Sequence, residues 1–274
     1  MPTWKGEGWL MRLHIGGVLA LALAAAPVQA QWQAGDQSWC DDYDGGSGRY
    51  CEVRATTLPG TGDLEVDSGP NGSIDIEAWD GSQVEIEARV TANARSQDRA
   101  DEIASEIELI AEEGLVEADG PRTGRRESWS VSYRIRVPRE TDLDLRTVNG
   151  GIDIRDVAGD IDFRTTNGGV DLVALSGDVR GRTTNGGVDI ELVGDTWQGG
   201  GLDVQTTNGG VTLVVPDGYS ADLEVGTTNG GIDIDFPVTI QGRIGRRQLV
   251  TTLGDGGATV RAMTTNGGVR VARR

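Results

Sequence analysis

Four aspartates offer this chain its most regular opportunity for chemistry. Asp153, Asp171, Asp189 and Asp233 each lie four residues beyond the asparagine of an Asn-Gly-Gly turn, and Thr212 and Arg270 fill the same place in two other copies. Such a row could bind a divalent cation, with calcium as the candidate, or present a glycan-binding surface. It could also supply the paired carboxylates of a β-helical polysaccharide hydrolase. A ladder of like charges repels itself unless cations or arginines offset it, and Arg146, Arg164 and Arg182, outward on the preceding strand, could do so. The plainest reading is a solvated face whose charges block edge-to-edge aggregation. Other chemistries are narrowed by absence. The only histidine is His14 and the only lysine is Lys5, both before residue 31. Residues 31–274 therefore hold no Ser-His-Asp or Cys-His couple, no histidine metal site, no Schiff-base lysine and no P-loop lysine. The glycines fit no dinucleotide-binding spacing, and the nine-residue Gly-x-Asp period of calcium-binding β-rolls is missing. The expectation is a non-enzymatic protein without a cofactor, and a carboxylate-dependent polysaccharide enzyme is the alternative.

The aspartates owe their regularity to a repeat. Five phrases read Thr-Thr-Asn-Gly-Gly and one Thr-Val-Asn-Gly-Gly, with turn asparagines at Asn149, Asn167, Asn185, Asn208, Asn229 and Asn266. The intervals are 18, 18, 23, 21 and 37 residues. The last holds either two units or one unit with an insertion. Apolar residues alternate on both sides of each turn: Leu143 and Leu145 before the first with Ile152 and Ile154 after it, then Ile161 and Phe163 with Val170 and Leu172. Period-two alternation predicts two half-buried strands per unit. The first threonine of each phrase shares the inward parity, so a row of threonines should line the core beside a row of asparagines. Positive φ at Asn-Gly would turn the chain. A β-solenoid, one coil per 18–23 residues with like stacked on like, is favoured over an antiparallel meander, which has no need to repeat the same threonine.

The remaining chain supplies address and caps. Arg12, an apolar run from Ile15 to Ala26 and the small-residue site Val28-Gln29-Ala30 predict a signal peptide over residues 1–30, with Met11 as an alternative start. Export implies a periplasmic or cell-surface location and makes Cys40 and Cys51 a disulfide pair. Net charge is −18. Lys5 and Arg12 against Glu7 give residues 1–30 a charge of +1, leaving −19 on the remainder, which argues against nucleic acid or anionic lipid as a partner. Residues 31–68 read as a Cys-containing N-terminal cap with one strand, and 69–274 as the repeat domain. Within the latter, about 96–108 predicts one short helix, N-capped by Ser96 with Ala100, Ile103, Ile107 and Ile110 on one face, covering an end of the solenoid. A hairpin at Glu113-Gly114, a strand through Val131, Tyr133, Ile135 and Val137, and a loop that packs Trp197 over a coil edge complete the reading.

Gly72-Ser-Ile-Asp-Ile-Glu-Ala-Trp79, Ser130-Val-Ser-Tyr-Arg-Ile-Arg-Val-Pro138, the serial Thr-Thr-Asn-Gly-Gly and the late Leu253-Gly-Asp-Gly-Gly257 follow one another in order. Over about residues 65–274 this progression resembles the bacterial adhesin-like β-strand-repeat proteins called toast-rack or head-domain adhesin-like. The resemblance implies an exported β-repeat fold, no catalytic motif, and a binding or scaffolding role toward an envelope protein or glycan.

Overall fold

A computed structural model describes residues 31–43, 46, 48–235, 243–245 and 247–274; the expected signal peptide and the centre of the 37-residue interval lie outside them. The chain is an all-β solenoid with two walls of eleven strands each. Strands preceding the turns form a leading sheet, and strands following them form a trailing sheet. Seven coils cross both: coil 1 (Asp63–Asp67, Ile74–Trp79), coil 2 (Asp142–Asn149, Ile152–Arg155), coil 3 (Ala158–Asn167, Val170–Val173), coil 4 (Ser176–Asn185, Val188–Glu191), coil 5 (Gly201–Asn208, Val211–Val215), coil 6 (Ala221–Asn229, Ile232–Ile234) and coil 7 (Thr259–Asn266, Val269–Arg273). Adjacent coils pair in parallel and in register, as Ile161 does with Val179 and Val170 with Val188. That register excludes the meander. The expected apolar positions bury into one continuous core between the walls.

Three interlocking contacts hold each corner. The inward threonine hydroxyls donate to the first glycine carbonyl of the preceding coil: Thr165 to Gly150 at 2.9 Å, Thr183 to Gly168 at 2.9 Å, Thr206 to Gly186 at 2.7 Å. The turn asparagines pass one side-chain amide bond along the stack: Asn167 to Asn149 at 2.7 Å, Asn185 to Asn167 and Asn208 to Asn185 at 2.8 Å. The ladder continues through Asn266 and Asn229, and ends on Asn71 and the Pro70 carbonyl below Asn149. The first glycine is required for room, and here the expectation of positive φ is corrected. None of the six asparagines has positive φ, but a Cβ at Gly186 would sit 1.8 Å from the Gly168 carbonyl oxygen. Left-handed backbone occurs at the opposite corner, at Asp156 (φ 61) and Ala174 (φ 56). Inside, Phe163 of coil 3 fills the space left by Gly181 of coil 4, whose Cβ would meet the ring at 2.3 Å.

The coils do not stack in chain order. Coil 7 lies between coils 5 and 6: Thr264 pairs with Thr206 on one side and Thr227 on the other. The 37-residue interval is thus one unit with an insertion, part of which, Gln248–Leu253, runs antiparallel along the outer edge of coil 6. At the other end, three antiparallel-connected strands (Arg49–Pro59, Gln83–Asn93, Ser128–Pro138) extend the trailing sheet beyond coil 1. The helix is Gln97–Ser105 with Ser96 as N-cap, and it buries Ala100, Ile103 and Ala104 against the first two of these strands. Ile107 and Ile110 are not on it: Ile107 follows the helix cap, and Ile110 lies in the middle of the first strand of the hairpin Glu108–Glu112 and Leu115–Asp119. Residues 31–68 carry three strands where one was expected. Trp197 is buried, its indole N–H donating to the Gly177 carbonyl at 2.9 Å.

The corner generates a three-way test. Gly186→Ala is expected to cost about 3 kcal/mol or more, because backbone blocks the methyl. Gly187→Ala, whose nearest neighbour would be 3.6 Å away, is expected to cost far less. Thr183→Val should cost about 1–3 kcal/mol by stranding the Gly168 carbonyl. Denaturation midpoints of the three variants check the ranking.

Candidate functional site

In-register pairing sets Asp75, Asp153, Asp171 and Asp189 side by side on the outer face of the trailing sheet. The row continues through Thr212 and Arg270, and only then reaches Asp233. Insertion of coil 7 therefore separates Asp233 from the other three predicted aspartates, and Asp75 takes its place at the opposite end. Arg155 binds Asp75 at 3.0 Å and reaches Asp153 at 3.8 Å. Partial burial pushes Asp153 up to about 6, reinforced by its hydrogen bond with Asp171 and by the charges of Asp171 and Asp75, while Arg155 opposes the shift. A line of carboxylates is not a coordination sphere. Among the described residues no group of three or more such side chains could hold a metal ion, so the geometry gives calcium no site. Arg146, Arg164 and Arg182 are outward on the preceding strands, as expected, but those strands form the leading sheet, so the core separates the arginines from the row they were to offset.

Sequence reasoning missed a cleft of about 790 Å³ at the N-terminal end of the same face. Its floor comes from coil 1 and the three extending strands. Alternation points Asp75, Glu77, Glu85, Glu87, Arg134 and Arg136 outward, and pairing orders them acid–base–acid: Asp75–Arg134–Glu87 in one register row and Glu77–Arg136–Glu85 in the next. Gln31, Gln33 and Ala34 form a wall, the last two pairing antiparallel with Arg49–Pro59. Close by, the turn Gln37–Cys40 is fixed to the sheet twice. The Cys40–Cys51 disulfide ties it covalently, and the Gln37 amide both donates to the Val53 carbonyl at 2.7 Å and accepts from its N–H at 3.1 Å. This turn presents Trp39, against which the guanidinium of Arg134 stacks at 3.9 Å and that of Arg89 at 4.8 Å. Asp36, which precedes the turn, is held below the usual carboxylate range by hydrogen bonds from Ser38.

The cleft is lined largely by polar and charged side chains. Glu85 is committed to Arg136 and Asp75 to Arg155, whereas Arg134 makes no ion pair among the described residues. The signal for it in the sequence was faint: Glu85/Glu87 and Arg134/Arg136 flank buried Ile86 and Ile135, but nothing local shows that they pair.

Asp153 supplies a pH test. Its folded pKa lies above the ordinary 3.8, so the unfolded chain loses the proton first as pH rises. The folded state is progressively penalised between about pH 4 and 6, and the full penalty is present above that window. Asp153→Asn is expected to stabilise by about 1 kcal/mol at pH 7, after allowance for solvent screening, and by little at pH 4. Exposed Asp189→Asn should stay within about 0.5 kcal/mol at both. Melts at the two pH values check this; an Asp153→Asn effect independent of pH would contradict it.

A comparison with curated proteins found no match. Solved structures to which the chain is similar at low identity include three. One is from Clostridium sporogenes ATCC 15579, provisionally described as a cell adhesion protein (10% identity, 82% of this chain and 100% of that one covered, TM-score 0.44). Another, from Bacteroides fragilis NCTC 9343, is provisionally described as an adhesin (9%, 81% and 97%, 0.40). The third, from Parabacteroides distasonis ATCC 8503, is provisionally described as lipid-binding (9%, 80% and 96%, 0.34). At these values the likenesses carry no argument about function. The family match is broader: residues 57–272, from the strand before coil 1 to the end of coil 7, fit the family described as Toastrack DUF4097. With the stacked coils, the turn ladder and two of the three extending strands, Gln83–Asn93 and Ser128–Pro138, inside that span, the chain belongs to the Toastrack DUF4097 family.

Proposed function

We propose that this protein is an exported, non-enzymatic binding module of the cell envelope, adhesin-like in role, that holds a polar ligand in the N-terminal cleft. The single observation that carries the reading is the cleft itself, whose lining residue Arg134 is held by Trp39 on a neighbouring turn that a disulfide ties to the sheet. A pre-fixed concave surface lowers the ordering cost of binding. The disulfide and the leader-like residues 1–30 support a location outside the cytoplasm, in the periplasm or at the cell surface. The candidate partners are an envelope protein or a glycan. Stacked Trp39–Arg134 is the element suited to a carbonyl, carboxylate or sugar hydroxyl, because it offers oriented donors beside an aromatic face.

The test is capture from an envelope fraction and binding to a glycan array by the disulfide-bonded chain, beside the variants Trp39→Ala and Arg134→Ser. The expected result is a retained component whose binding falls about tenfold or more in both variants, with melting unchanged. Equal retention by all three proteins would remove the cleft from the reading. Release of reducing ends from a bound polysaccharide would replace it with the hydrolase.

A further inference from the structure

The arginines that were expected to offset the aspartates form a column of their own. Arg146, Arg164 and Arg182 stand in register on the outer face of the leading sheet, with Asp67 before them and Gln205 after. Arg146 is paired with Glu65 and Asp144. Arg164 and Arg182 are exposed and make no ion pair among the described residues. On the opposite outer face, the same coils 2, 3 and 4 carry Asp153, Asp171 and Asp189. Both columns have the pitch of parallel strands, about 4.8 Å, because one stack sets both. Like charges side by side repel, and Asp153 already registers that cost. Within one chain the columns cannot meet, since the core lies between them.

We propose that the aspartate column of one copy docks on the arginine column of a second copy, trailing sheet against leading sheet. Charge and spacing are both complementary, and each surface supplies what the other lacks. A continuous polyanion fits the arginines less well, because Glu65, Asp144 and Asp162 run in the neighbouring column of the same face. The contact is heterologous, so each docked copy still offers its other face, and association is open-ended. Exposed ion pairs are individually weak. The contact therefore acts where copies are concentrated, as on an envelope surface, where each added contact is effectively intramolecular.

The test is charge exchange in the purified disulfide-bonded chain, read by sedimentation velocity over a wide concentration range. The wild type is expected to self-associate reversibly, less so at high salt. Arg164→Asp with Arg182→Asp, and separately Asp171→Arg with Asp189→Arg, should each weaken association by roughly tenfold or more. Mixing the two reversed proteins should restore it, since every contact in the mixture is again between opposite charges. Arg164→Gln with Arg182→Gln, which leaves the surface neutral, keeps the test valid if a reversal impairs folding. A wild type that stays monomeric throughout, or reversals that associate as it does, would overturn the proposal. Retention on dextran sulfate that depends on Arg164 and Arg182, without self-association, would assign the column to a polyanion instead.

Discussion

The distance between stacked corners governs this molecule. Parallel strands sit at a fixed spacing, and at each turn the carbonyl of one coil occupies the volume that a side chain on the next would need. Glycine is the one residue that admits that approach. The carbonyl so enclosed needs a donor, and the threonine hydroxyl of the next coil provides it. The asparagine amide then joins outer corner to outer corner, its nitrogen donating to the side-chain oxygen of the neighbouring asparagine. Three residue types in one short phrase therefore answer one geometric demand. The alternating strands on either side can vary, as Phe163 against Gly181 shows, provided volume is conserved across neighbouring coils.

Strict register has a second effect. A residue placed outward on one coil becomes part of a column as soon as its neighbours repeat it, and charges placed that way cannot be dispersed. The carboxylate column of the trailing face and the guanidinium column of the leading face arise for this reason. Where the repeat ends, at the N-terminal extension, columns give way to rows in which acid and base alternate between strands of different origin. The cleft forms there because coil-like constraint is relaxed and an antiparallel pair lets the chain fold over its own face. Rigid scaffold and adaptable site are thus segregated along the axis of the stack.

Much of this was legible beforehand because it is periodic. The inward parity of Leu143, Ile152 and their equivalents, the buried threonine row, the Ser96 cap and the Cys40–Cys51 bond all follow from local pattern or parity. What escaped was non-local. Thr264 sits in the same phrase as Thr206 and Thr227, so nothing in the residues says which of them it lies between. The cleft requires Asp75, Glu87 and Arg134 to be neighbours, and their pairing crosses an intervening helix and hairpin. The expectation that the arginines offset the aspartates failed for a similar cause: they lie close in sequence, but a turn carries the chain to the other wall between them.

Coil 7 bears on how the molecule reaches this state. Among the described residues the strands of coil 6 pair with the body of the stack only through coil 7; the other partner of its leading strand, Gln248–Leu253, comes from the same late stretch of chain. A chain delivered from its N-terminus can zip coils 1 to 5 as each emerges, but coil 6 is then held only at its entry, where Ser220 bonds Asp195. Thr259–Arg273 fill the slot between coils 5 and 6 and join both sides at once. Such closure joins segments far apart in sequence and is correspondingly slow. It also makes completion all-or-none, so a chain truncated by one coil loses two from its stack. Coil 7 thus acts as a keystone, locking into the stack a coil that precedes it in the chain.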